Sequence, residues 1–182
     1  MGYESKILYG LDKIHYCKNG VIKPILGALD IEINLEQTYE YAKIQGHKAV
    51  RFNGELKGTG KLSVLGLTLE EQADILGCKY RDGELYIEDG FNPKPISLLF
   101  SRERADGSEL YTVVYKCIFN NPSDVASTRQ GEMNNETKTL EFDVLVELNS
   151  KLTYFTLDTK NGDKEKVDKF FKEIQVPNKA VR

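Results

Sequence analysis

Leu140-Glu141-Phe142-Asp143-Val144-Leu145-Val146-Glu147-Leu148 alternates with a period of two. On a strand, Leu140, Phe142, Val144, Val146 and Leu148 fall on one face, and Glu141, Asp143 and Glu147 on the other, with Leu145 the exception. Same-face neighbours on a strand lie about 7 Å apart. One side of this segment therefore belongs to a core, and the other carries a row of carboxylates. Such a row is a solvated face, a metal site, or a surface shaped to avoid holding an anion.

The same alternation recurs along the chain. Ile31, Ile33 and Leu35 alternate with Glu32, Asn34 and Glu36, and Ile96, Leu98 and Phe100 alternate with smaller or polar neighbours. Tyr111, Val113, Tyr115, Cys117 and Phe119 alternate with Thr112, Val114, Lys116 and Ile118. Both faces of that last strand are partly apolar, which places it centrally. Asx-Gly pairs at Asn19-Gly20, Asn53-Gly54, Asp82-Gly83, Asp89-Gly90, Asp106-Gly107 and Asn161-Gly162 supply turn chemistry between such segments. Asp106-Gly107 is expected to join its flanking strands as a long hairpin. The pattern predicts a mainly β fold, two antiparallel sheets packed as a sandwich or barrel.

Two helices interrupt it: a short flanking helix and a C-terminal one. Thr68-Leu69-Glu70-Glu71 is a capping box, Leu69, Ala73 and Leu76 form a short apolar stripe, and Gly77 is placed to stop the helix. The second helix is expected from about Asp163 to Ile174. Val167, Phe170, Phe171 and Ile174 stand at helical spacing, and Pro177 prevents extension. Two long loops are expected, at about 38–52 and about 121–135. The first carries Tyr39, Tyr41, Ile44, Val50 and Phe52, which are costly to leave in water, so it reads as a segment that orders against a partner. With no internal repeat or linker, the 182 residues read as a single domain.

Composition narrows the function classes. A formal net charge of -3 gives no basic footprint for gripping nucleic acid. The widely spaced Cys17, Cys78 and Cys117 form no CxxC and read as small buried hydrophobes in a reducing compartment. No signal-peptide core and no apolar run of about 20 residues is present, so a cytosolic, soluble chain without membrane association is expected. No catalytic residue stands out: His15 and His47 lie on different segments, and no GxSxG frames a serine. Lys57-Gly58-Thr59-Gly60-Lys61 departs from a phosphate loop, because Leu62 follows the lysine. Its glycines read as relaxing a twisted strand. The acidic row lacks the DxDxDG spacing of a calcium loop, so no metal or cofactor is expected.

Four features, in order, carry a resemblance. They are the helix Leu67 to Gly77 followed by the hairpin around Asp82-Gly83, and the hairpin Pro95 to Phe119 containing RERADGSELYTVVY. The polar loop and strand NNPSDVASTRQGEMNNETKTLEF, Asn120 to Phe142, come next, and then the C-terminal helix with Phe170-Phe171. Tyr9 to Leu35 adds an opening layout of two strands and a turn. Nearly end to end, the chain resembles a major tail protein, the tail-tube subunit of long-tailed bacteriophages that infect Gram-positive bacteria. Tube proteins of contractile tails and secretion systems share the architecture and remain the nearest alternative. A ligand-binding β-sandwich is further off, since the sequence has no tryptophan.

The resemblance implies a structural virion protein, located in the tail and assembled in the host cytoplasm. Its subunits would form hexameric rings stacked into a tube that conducts DNA without specific binding. It implies other tail proteins as partners: tape measure, terminator and distal tail proteins. The segment 38–52 matches the family's loop that reaches the adjacent ring. Glu32, Glu36, Glu141, Asp143 and Glu147 are then expected to face the lumen, where phosphate repulsion would let DNA slide.

Overall fold

The computed structural model describes residues 3–121 and 137–178. A 3-10 helix, Tyr3–Lys6, leads into strands β1 (Leu8–Lys18), β2 (Val21–Pro24), β3 (Ala28–Ile44) and β4 (His47–Val64). Helix α1 (Leu69–Leu76) and the small hairpin β5 (Lys79–Arg81)–β6 (Glu84–Tyr86) follow. Strands β7 (Ile96–Arg104), β8 (Glu109–Phe119), β9 (Lys138–Val144) and β10 (Tyr154–Asp158) precede α2 (Lys164–Lys169). The mainly β expectation holds. Eight strands form one antiparallel sheet in the order β2-β1-β7-β8-β9-β4-β3, with β10 pairing β8, and β5–β6 form a second. The expected polar loop at about 121–135 lies, beyond its first residue, outside the described residues.

Strand β8 is the branch point. One edge pairs with β7; the other pairs with β10 over Leu110–Val114 and with β9 over Cys117–Phe119. Beyond the branch the sheet curls, and Leu62, Leu140, Phe142 and Val144 pack with Tyr16, Leu98, Phe100 and Phe119 in the larger core. Burying a side chain of this size contributes about 1.5–3 kcal/mol. Among the described residues the sheet does not close into a barrel: β1 and β3 flank an opening without a ladder between them. A smaller core lies on the reverse of β1, β7, β8 and β10, where Leu99, Val113, Tyr115 and Leu157 meet Phe170, with Phe171 and Ile174 against them.

The central position read for β8 is therefore correct, but its single alternation is not. Between Val114 and Cys117 the register against β7 slips by one residue. Val113 and Tyr115 consequently join the smaller core, whereas Cys117 and Phe119 turn into the larger one. A bulge of this kind exchanges the faces of every later side chain.

Helix α1 follows its sequence signals. The Thr68 hydroxyl accepts from Glu71 N–H at 3.2 Å, Glu71 accepts from Thr68 N–H at 2.8 Å, and Gly77 ends the helix at φ 81. Asp74 fixes the helix to the β1–β2 hairpin, accepting from Tyr16 Oη at 2.9 Å, Lys23 Nζ at 2.8 Å and Lys18 Nζ at 3.3 Å. Helix α2 is shorter than expected. Asp163 caps it, and the chain turns from Phe170 onward, so that Phe170 is fully buried and Phe171 packs against His15 and meets Tyr111 edge to face.

The largest departure lies at 38–52. It is no loop but the distal half of the β3–β4 hairpin, paired from Ala28↔Val64 out to Ile44↔His47. The turn is Gln45-Gly46, at φ 51 and 81, a conformation that Asx-Gly more usually supplies. Asn53-Gly54, expected to be a turn, lies inside β4 at a register shift. Strand pairing satisfies the backbone that a loop would have left to water.

Candidate assembly surface

The β3–β4 hairpin extends past the rest of the molecule as an arm. From Glu36 to Glu55 every described side chain except Ala42 is exposed. Leu35 to Ile44 alone spans about 30 Å at the usual rise per strand residue. Cross-strand pairs Glu40↔Phe52 and Ala42↔Val50 define one face of the arm, which Ile44 shares. Ile44 is 60%, Val50 47% and Phe52 59% exposed, an apolar strip with no cover among the described residues. The opposite face pairs Tyr39↔Asn53 and Tyr41↔Arg51. There the Arg51 guanidinium lies 4.3 Å from the Tyr39 ring centroid, and Tyr39 and Tyr41 meet edge to face at 5.6 Å. All five residues expected to contact a partner thus sit on the arm, divided between its two faces. Sequence spacing alone did not reveal that division, because it depends on which residues of β3 and β4 pair.

Closer to the core, the same hairpin and β9 present a charged face. The register aligns Glu32, Lys61 and Glu141 across three strands, then Asn34, Thr59 and Asp143, then Glu36 with Lys57. Glu32, Glu36, Glu141 and Asp143 are therefore brought together as expected, and all four are exposed. Two lysines missed in the sequence reading interleave with them. Lys61 Nζ lies 3.0 Å from Glu141 Oε1, and that carboxylate holds the ammonium pKa above its ordinary value. Four acids against two lysines leave the face mildly acidic instead of purely so.

Glu147 does not belong to this face. Strand β9 ends at Val144, where Leu145 N–H turns to donate to Lys116 O at 2.9 Å. Glu147 then organises a turn, accepting from the N–H groups of Asn149 at 2.6 Å and Ser150 at 2.9 Å. These bonds hold its carboxyl below the ordinary range. Leu148, read as a core residue, is 75% exposed. The alternation continued in the sequence after the ladder had ended, because past the Leu145–Lys116 bond the same edge of β8 is taken by Thr153 and β10.

The back of the charged face explains the glycines at 58 and 60. Both occupy core-side positions, opposite Leu35 and Ile33. A Cβ at Gly60 would lie 2.2 Å from Phe142 Cζ, and one at Gly58 would lie 2.4 Å from Asn34 O. The glycines admit a phenyl ring and a close neighbouring backbone. Cys17, Cys78 and Cys117 are separately buried and form no disulfide, and burial raises each thiol pKa. His15 is half-buried against Phe171 at 4.6 Å, and burial lowers its pKa; His47 is exposed at the arm tip.

No protein-family model matches this chain, and no curated protein matches it.

Proposed function

We propose that the chain is a structural subunit that polymerises as stacked rings into a tube, as the resemblance to major tail proteins of long-tailed bacteriophages implies. The arm carries this reading. A long, ordered hairpin with an uncovered apolar strip suits a contact made only on assembly, since leaving that strip in water is unfavourable by about 25 cal/mol per Å². The free outer edge of β3 supports it as well: an unpaired strand edge is a hazard in a monomer and a joint in an assembly. In this reading the charged face lines the lumen. Its acids repel phosphate, while Lys57 and Lys61, held among acids, would displace few counterions from DNA.

The test shortens the arm without disturbing the body. Gln37 and Leu56 are directly paired, so replacing residues 38–55 by Asn-Gly closes the hairpin with a two-residue turn. The shortened chain is expected to keep its circular dichroism spectrum and cooperative unfolding, yet form no tubes under negative-stain electron microscopy. Normal tubes from the shortened chain would refute the arm's role. A wild-type chain that remains a monomer at every concentration would refute the reading altogether.

A further inference from the structure

The opening between β1 and β3 is a cleft of about 460 Å³. Leu11 and Phe100 line it from one side, Ile31, Ile33 and Leu35 from the other, and Arg102 enters from β7. The Arg102 guanidinium lies 5.9 Å from the Phe100 ring centroid, and its Nε is buried without a hydrogen-bond partner. No carboxylate among the described residues pairs with it: Asp30 also lines the cleft but makes no ion pair there. A half-buried cation in an apolar cleft is left short of an anion.

The arm carries the complementary set. Its apolar strip, Ile44, Val50 and Phe52, contains one acid, Glu40, directly opposite Phe52. Glu40 likewise pairs with no cation among the described residues. An arm cannot reach the cleft of its own molecule. It leaves the cleft wall at Leu35 and runs outward, placing Ile44 about 30 Å away. We propose that the arm tip of one copy docks in the β1–β3 cleft of a second copy, with Phe52 and Val50 against Ile31, Ile33 and Phe100, and Glu40 against Arg102. The contact joins two different patches of the same chain, so it is head-to-tail and propagates without a limit set by symmetry. It also leaves Tyr39, Tyr41 and Arg51 on the side of the arm away from the cleft. This inference rests on the assembly reading above and adds the receiving site.

Charge reversal tests it. Glu40→Arg and Arg102→Glu each place like charges together and are expected to weaken self-association at least about tenfold, read by light scattering over a concentration series. The double variant Glu40→Arg/Arg102→Glu restores opposite charges and should recover association and tubes. An equimolar mixture of the two single variants should recover association too, because each supplies the partner the other lacks. Circular dichroism confirms that each variant is folded. Single variants that associate like wild type, or a double variant that is folded but does not recover, would overturn the contact. If the shortened arm abolishes tubes while charge reversal has no effect, the arm stacks rings but docks elsewhere. A wild-type chain that never associates removes both the assembly reading and this contact.

Discussion

Gly60→Ala is expected to destabilise the protein, although alanine is the better residue for most strands. Gly60 has no positive φ, so its backbone accepts alanine, and a less flexible unfolded chain would ordinarily add about 0.4–1 kcal/mol of stability. The new methyl, however, would lie 2.2 Å and 2.4 Å from Phe142 Cζ and Cε2, and 2.8 Å from Glu32 O. Relaxed carbon contacts lie at about 3.5–4.0 Å. Phe142 is 1% exposed and its ring packs on Phe119 at 4.9 Å between centroids, so it has little room to withdraw. Overpacking of this kind costs about 1–3 kcal/mol, which leaves a net loss of about 1–2 kcal/mol. In urea, at about 2 kcal/mol per molar, the unfolding midpoint should fall by about 0.5–1 M. Phe142→Leu alone should also destabilise. The double variant should lose less than the sum by at least about 1 kcal/mol, because the methyl fills space the ring vacates. The measurement also tests the charged face. If Gly60→Ala is neutral or stabilising, Gly60 points to solvent, the β4–β9 register is off by one, and Glu32, Lys61 and Glu141 turn toward the core. That result would refute the assignment of the face.

Two more outcomes follow from the same geometry. Asp74→Asn should loosen α1 from β1–β2 at a cost of about 1–3 kcal/mol near neutral pH. Burial raises the Asp74 pKa, but hydrogen bonds from Lys23, Tyr16 and Lys18 outweigh it and leave the carboxyl below its ordinary value. A depressed carboxylate pKa stabilises the fold above the unfolded value of about 3.9 and less as pH falls below it. Urea midpoints of wild type and Asp74→Asn should therefore converge from about pH 5 to about pH 3, and a constant gap would contradict the argument. Glu141→Lys with Asp143→Lys reverses the net charge of the proposed lumen face, set by four acids and two lysines, from acidic to basic. Tubes should still assemble, but DNA release measured by fluorescence should slow and become salt-dependent; unchanged release kinetics would contradict the lumen placement.

What the sequence determined by itself is what depends on near neighbours. Period-two alternation made β3, β7 and β9 strands, because successive side chains on an extended chain must face opposite ways. The Thr68 capping box and Gly77 set both ends of α1 through bonds within a few residues. Asn19-Gly20, Asp82-Gly83 and Asp106-Gly107 all turned where Asx-Gly permits positive φ. The tertiary structure decided what depends on distant partners. Pairing with β3 made Asn53-Gly54 part of a strand and moved the turn to Gln45-Gly46, converting an expected loop into an arm. A bulge against β7 sent Tyr115 and Cys117 to different cores. The end of the β8 ladder removed Glu147 from the acidic row. The register across three strands set Lys61 between Glu32 and Glu141, although these residues are separated by up to 109 positions in the chain. Local spacing encodes which way a side chain alternates, but only strand pairing sets which residues share a face, because register is a relation between segments.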